Sequence, residues 1–224
     1  MVGQSSYLAR PRHALAVSDK TTRDHIIEAA DQLFYRQGYE HTSFSDIAQA
    51  VQLSRGNFYF HFKSKDEILN AVIAVRLAGT KKLLERWELE ATRPEDRIRS
   101  FIQLLIANKE PIQRYGCPVG TLCSELAKLQ HASQPEASKL FALFRTWLRR
   151  QFTLLGRAAD ADALAMHLLA RSQGVATLAN AFRDERFIKC EVEQMCDWLS
   201  SYTQGVARTA RSARRNSTRG RAKP

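Results

Sequence analysis

The 224-residue sequence predicts an all-α fold of about nine helices, and three observations predict it. Apolar residues recur at helical spacing almost throughout. No stretch alternates apolar and polar residues between turns, as a half-buried strand would. A Ser or Thr followed three positions later by an acidic residue, the mark of a helix start, occurs at Thr21/Asp24, Ser43/Asp46, Ser64/Glu67 and Ser133/Glu136.

Residues 1–19 contain Pro11, few large apolar groups and no periodicity, and read as a flexible leader. Thr21 opens the first helix, on which Ile26, Ile27, Ala30, Leu33 and Phe34 share a face; Gly38 is expected to stop it in a left-handed conformation. Ser43 opens a short helix to about Val51, with Phe44, Ile47, Ala48 and Val51 inward, and Ser54 caps another through about His61. Two short helices joined by Gln52-Leu53-Ser54 form a helix-turn-helix, with Ala48 small enough for a close crossing. Together with the first helix they make a three-helix domain over residues 20–66.

A long helix runs from Lys65 to about Glu90, and Ile68, Leu69, Val72, Ile73, Leu77, Leu83 and Leu84 give it two contact faces. Pro94 suits the first turn of the next helix, which extends through Ile106 and is broken by Pro111 and the Gly116 to Pro118 stretch. Helices are then predicted over about 119–130, 134–156, 160–182 and 187–207, completing a helical C-terminal domain over 67–207. Residues 208–224 lack large apolar groups and are rich in Ser, Thr, Ala and Arg, the composition of a disordered tail.

The formal charge of +11 points to a polyanionic partner, but seven basic residues and no acidic one lie after position 207. The basic excess is therefore mostly a property of the tail. No apolar run reaches about 18 residues and the N-terminus lacks a signal pattern, which predicts a soluble cytoplasmic protein with no membrane partner. Cys117, Cys123, Cys190 and Cys196 sit in pairs with five residues between partners, a spacing of neither a zinc ribbon nor a disulfide framework. They read as reduced thiols, with no metal or other cofactor expected. There is no HExxH motif, phosphate-binding glycine loop or nucleophile elbow, and the histidines are scattered, so the sequence does not read as an enzyme.

The segment Leu53-Ser54-Arg55-Gly56-Asn57-Phe58-Tyr59-Phe60-His61-Phe62-Lys63-Ser64-Lys65-Asp66-Glu67-Ile68-Leu69 is preceded by Gly38-Tyr39 and by Thr42-Ser43-Phe44-Ser45-Asp46-Ile47-Ala48. Over residues 21–69 this order and spacing resembles the DNA-binding region of TetR-family bacterial transcription regulators. The resemblance implies a homodimeric regulator of double-stranded operator DNA, by default a repressor released by a small-molecule effector.

The residues support that reading in their own right. Ser54, Arg55, Gly56 and Asn57, on a helix two turns long, suit base edges in the major groove: Arg fits guanine, Asn fits adenine or phosphate, and Gly56 lets the backbone come close. Arg55 could instead rest on phosphate, which positions without reading sequence. Phe58 and Phe62 should point into the three-helix core, leaving Tyr59 and His61 outside. The resemblance places Tyr59, His61, Thr42 and Lys65 on the DNA backbone. Thr42, with Ser43 beside it, and Lys65 also lie at helix N-termini, where free N–H groups attract phosphate. Residues 20–66 carry six basic and six acidic side chains, so affinity depends on where charges sit and on pairing two domains.

The resemblance also assigns dimerisation to the last two helices. Leu164, Leu168, Leu169, Val175, Leu178 and Phe182, with Val192, Met195, Leu199, Tyr202 and Val206, either pack four helices across a two-fold axis or form an intramolecular core. Phe101, Leu105, Tyr115, Phe141, Phe144, Trp147 and Phe182 lie on the helices that surround the family's effector cavity. Gly116-Cys117-Pro118-Val119-Gly120-Thr121-Leu122-Cys123-Ser124-Glu125-Leu126 is similar to a segment of a subgroup that includes repressors responding to reactive electrophiles and acrylate-like acids, which more often has Asn where Thr121 stands. Cys117, in a turn opening a helix, is either an effector-site sensor whose thiolate the helix dipole favours or a small buried hydrophobe. The rival to a sequence-specific regulator is an architectural protein that coats DNA non-specifically with its arginine-rich tail, with an affinity falling steeply with salt.

Overall fold

A computed structural model describes residues 21–184 and 186–202, and every regular element among them is an α-helix. The order is α1 (Thr22–Gln37), α2 (Phe44–Ala50), α3 (Arg55–His61), α4 (Lys65–Glu90), α5 (Pro94–Ala107), α6 (Lys109–Tyr115), α7 (Pro118–Lys128), α8 (Gln134–Leu154) and α9 (Ala161–Phe182), followed by helical residues 186–202, here α10. The leader and basic tail expected at 1–19 and 208–224 lie outside the described residues, as does Val206. Among the described residues no helix is long and apolar enough to cross a membrane.

Local chemistry sets the helix starts. Thr21 and Ser43 form full capping boxes, each hydroxyl accepting the N–H of the acidic residue three positions on while that residue's carboxylate takes the cap's own N–H. Ser64 accepts from Glu67 N at 3.1 Å, but the Glu67 carboxylate takes the N–H of Lys63 at 2.8 Å instead of that of Ser64. Ser133 departs from the expectation. Its hydroxyl donates to Asn70 Oδ1 at 2.8 Å, tying the start of α8 to α4, and caps nothing.

Two further differences have physical causes. Gly38 ends α1 at φ 91° and ψ 159°, an extended region with positive φ that favours glycine, and not the expected left-handed helical one. Pro111 does not break the chain into loop. It is the third residue of α6, where an N–H would have no partner inside the helix, so this short helix adds to the predicted count.

Two apolar cores result, and α4 belongs to both. The first gathers Ile26, Ile27, Ala30 and Phe34 of α1, Ile47 of α2, Phe58 of α3 and Phe62 just after it, with Ile68, Leu69, Val72 and Ile73 of α4. Leu122, Cys123 and Leu126 of α7 and Ala137 of α8 complete it. The second gathers Leu83, Leu84 and Trp87 from the far half of α4 with α5, α8, α9 and α10. Fully burying a side chain such as Phe58 or Phe62 contributes about 2–3 kcal/mol, so the α2–α3 unit is held from beneath by these two rings.

The candidate dimer residues divide. Leu164, Leu168, Leu169, Val175, Val192, Met195 and Leu199 are buried within the chain itself, and Tyr202 is partly so. Leu178 and Phe182 are exposed, and so, unanticipated, is Met166 elsewhere on α9.

Candidate nucleic-acid interface and effector cavity

Helix α3 is oriented by its inner face. Phe58 and Phe62 are fully buried, and Phe44 of α2 meets Phe58 edge-on at a centroid distance of 4.6 Å. The opposite face carries exposed Gly56, Asn57, Tyr59 and Phe60. An added Cβ at Gly56 would meet nothing within 4 Å, so this backbone is open to close approach. Ser54, exposed, caps the helix by accepting from Asn57 N at 3.4 Å. Tyr59 leans on Phe44 at 5.0 Å, and half-buried His61 meets the ring of Phe60 edge-on at 5.3 Å. The side chain of Arg55 lies outside the described residues.

Two expected phosphate contacts are turned inward. Thr42 is 1% exposed, and its hydroxyl donates to Gly38 O at 2.6 Å, closing the α1–α2 turn. Lys65 donates to Tyr39 O at 2.9 Å and lies 4.1 Å above the Tyr39 ring, so in this state it serves the turn before α2. Ser43 is exposed and accepts from Asp46 N at 3.0 Å, and its backbone N–H followed by its hydroxyl hold the Asp46 carboxyl below the usual carboxylate range.

The same turn is gripped from α7. Glu125 of α7 accepts the N–H of Tyr39 at 3.0 Å and that of Glu40 at 2.9 Å. A Cβ at Gly38 would stand 2.8 Å from Glu125 Oε1, so the glycine also makes room for this carboxylate. The Tyr39 hydroxyl donates to Asp66, and His131 Nε2 approaches that hydroxyl at 3.2 Å. Ser133 N–H donates to His131 Nδ1 at 3.1 Å, which assigns the proton of the neutral ring to Nε2. Burial, then the Asp66 carboxylate, push the Tyr39 hydroxyl above its ordinary range.

A cavity of about 690 Å³ lies between α1 and the C-terminal helices, within the size range of small-molecule sites. Of the residues expected there, Phe101, Leu105, Cys117, Phe141 and Phe144 line it. Tyr115, Trp147 and Phe182 do not. Tyr115 packs edge-on against Tyr35 at 5.3 Å, Trp147 is buried against Trp87 at 5.5 Å, and Phe182 is 71% exposed near the end of α9. The sequence reading missed the wall formed by Ile27, Glu28 and Asp31 of α1 with Val72, Val75 and Arg76 of α4. Arg76 Nε donates to Asp31 at 2.6 Å and its Nη1 to Pro118 O at 2.7 Å, so one guanidinium joins α1, α4 and α7 at the cavity edge. A basic residue amid the apolar periodicity of α4 was the available signal.

Cys117 caps α7, its half-buried sulfur accepting from Gly120 N at 3.4 Å. Cys123 is buried, its thiol pointing to Ala137 O at 3.5 Å, and burial followed by the neighbouring Cys117 pushes its pKa up to about 11. Among the described residues no His, Cys, Asp and Glu side chains cluster as metal ligands would.

Comparison with known proteins gives concordant results. The family described as bacterial regulatory proteins, tetR family, matches residues 26–72. An HTH-type transcriptional regulator of Lactococcus lactis subsp. lactis is 29% identical over 171 residues, covering 74% of this chain and 86% of the relative. The HTH-type transcriptional repressor DhaR of Mycobacterium sp. (strain GP1) is 25% identical, covering 68% of this chain and 79% of its own. In architecture, a TetR transcriptional regulator from Legionella pneumophila superposes with a TM-score of 0.71 at 24% identity, over 80% of this chain and 97% of that one.

Proposed function

We propose, from the premise that the chain is a TetR-family transcriptional regulator, that it represses transcription from an operator through α2 and α3 and leaves that operator when a small molecule fills the cavity. Regulators of this family are sequence-specific DNA-binding proteins and not enzymes, so a non-specific architectural role for the arginine tail is not favoured. Residues 20–66 are assigned as the DNA-binding domain and 67–207 as the effector and dimerisation domain of a cytoplasmic protein.

The observation that carries the reading is the position of α4. Its first two turns are packed among the side chains that seat α3, and its middle forms the cavity wall at Val72, Val75 and Arg76. A molecule that prefers one placement of this helix biases the spacing of two recognition helices in a dimer. Phe101, Phe141 and Phe144 suit an amphipathic or aromatic effector. The second copy docks on the exposed end of α9 that carries Leu178 and Phe182.

A second reading is favoured by Cys117, whose residue belongs to the cavity wall. An electrophilic effector with an activated carbon–carbon double bond would be captured there: the thiolate forms a C–S bond at the β-carbon, the π bond breaks, and the α-carbon takes a proton from water. This accords with the resemblance of the segment around Cys117 to the electrophile- and acrylate-responsive subgroup.

The test is an unbiased selection of bound duplexes from random DNA with the full chain and with an Asn57→Ala, Tyr59→Ala double variant. A palindromic site, its half-sites about one DNA turn apart, that disappears in the variant supports the reading. Equal recovery of all sequences overturns it. Release of that site by an electrophile, unchanged in a Cys117→Ser variant, removes the covalent reading alone.

A further inference from the structure

We propose that Phe60 reads thymine in the operator by placing its ring against the C5-methyl group in the major groove. This rests on the reading of α3 as the recognition helix and adds to it a base-reading residue absent from the motif-derived set.

Phe60 is 78% exposed, against complete burial of Phe58 and Phe62 on the other side of the same seven-residue helix. An isolated exposed apolar side chain elsewhere on a protein calls for no explanation. Here it stands three residues after Asn57 and four after Gly56, so at 100° per residue the three share one outward face. That face has an amide at Asn57, no side chain at Gly56 and open space around it, and Phe60 as its large apolar group. The neighbouring aromatic, Tyr59, is turned against Phe44 and is only 49% exposed. The ring of Phe60 has a single aromatic neighbour among the described contacts, His61, at 5.3 Å.

The chemistry of the groove selects the occupant. Of the four base pairs, only those with thymine present an apolar group in the major groove, and apolar side chains there discriminate by contact with that methyl. A carboxylate or hydroxyl would address donors or acceptors, whereas a phenyl ring gains by covering a methyl and excluding water from it. Gly56, one turn earlier on the same face, lets the helix approach closely enough for the ring to reach the base edge.

The experiment uses the full chain and the operator recovered by selection. Each thymine in turn is replaced by deoxyuridine, which removes only the methyl group, and affinity is measured for the native chain and for Phe60→Ala. The native chain is expected to lose about fourfold at one thymine per half-site, the worth of burying one such carbon. Phe60→Ala should bind both duplexes equally at that position, with thermal unfolding unchanged because the side chain is exposed. Equal binding of the thymine and uracil operators by the native chain at every position overturns the inference and leaves the regulator reading intact. Persistence of the methyl preference in Phe60→Ala overturns it too. Failure to enrich any operator at all overturns both this inference and the reading on which it rests.

Discussion

Glu125 reaches across 86 residues of sequence to accept the backbone N–H of Tyr39, and through its other oxygen that of Glu40. One carboxylate on α7 thereby fixes the turn that leads into α2.

Glu125→Ala should remove both acceptors and cost about 1–3 kcal/mol, since hydrogen bonds to charged groups lie at the upper end of the usual range. Urea unfolding of the full chain would measure the loss, and hydrogen exchange at the Tyr39 and Glu40 amides would localise it. Glu125→Gln keeps one acceptor oxygen and should lose less. Unaltered exchange at both amides in Glu125→Ala would show that the turn holds itself.

Ser43→Ala is expected to destabilise by about 0.5–2 kcal/mol through loss of the α2 cap. Asp46 adds a pH dependence with a definite sign. Its folded carboxyl titrates below the ordinary value, so folding favours the ionised form. The contribution is complete above the ordinary carboxylate range and disappears as pH falls through the lowered folded value. Melting curves in an acid series should be flatter for Asp46→Asn than for the native chain, and parallel curves would contradict the assignment.

Cavity and outer-face residues should separate cleanly. Phe141→Ala is expected to weaken binding of the neutral fluorescent probe N-phenyl-1-naphthylamine about tenfold, the scale of one lost ring contact. Phe182→Ala, well outside the cavity, should leave probe affinity alone and shift sedimentation toward monomer. The reverse pattern would exchange the two assignments.

The four thiols should alkylate in an order set by exposure and acidity. Cys190 is exposed and should react early with iodoacetamide, whereas Cys123 is buried with a pKa of about 11. At pH 8 about one Cys123 thiol in a thousand would be ionised even if reagent reached it. Peptide mass spectrometry over time reads the order, and Cys123 labelling as fast as Cys190 would refute it.

The legible part of this molecule is local. Capping pairs and apolar spacing located α1 to α5, and the inward Phe58 and Phe62 with outward Tyr59 oriented α3, although His61, expected outside with Tyr59, is half-buried and the exposure of Phe60 was not anticipated. What escaped is long-range. Thr42 and Lys65 satisfy motif positions, yet the hydroxyl of one and the ammonium of the other are taken by Gly38 O and Tyr39 O, partners that nothing in the spacing specifies. Trp147 has the composition of a cavity residue but spends its ring on Trp87, and Pro111 is tolerated because it falls in a first turn. Membership of Ile27 and Asp31 in the cavity wall depends on how α1 crosses α4, a relation that helical periodicity does not contain.

The packing of Leu122, Cys123, Leu126 and Ala137 into the same core as Phe58 and Phe62 bears on how such regulators diversify. A segment transplanted by recombination between this chain and a cousin would carry the reading helix away from part of its own floor, exposing apolar surface on both fragments. If α3 reads DNA as proposed, new operator preferences are reached more readily by point changes on the outward positions 56, 57 and 60, which are exposed, than by exchange of the whole module.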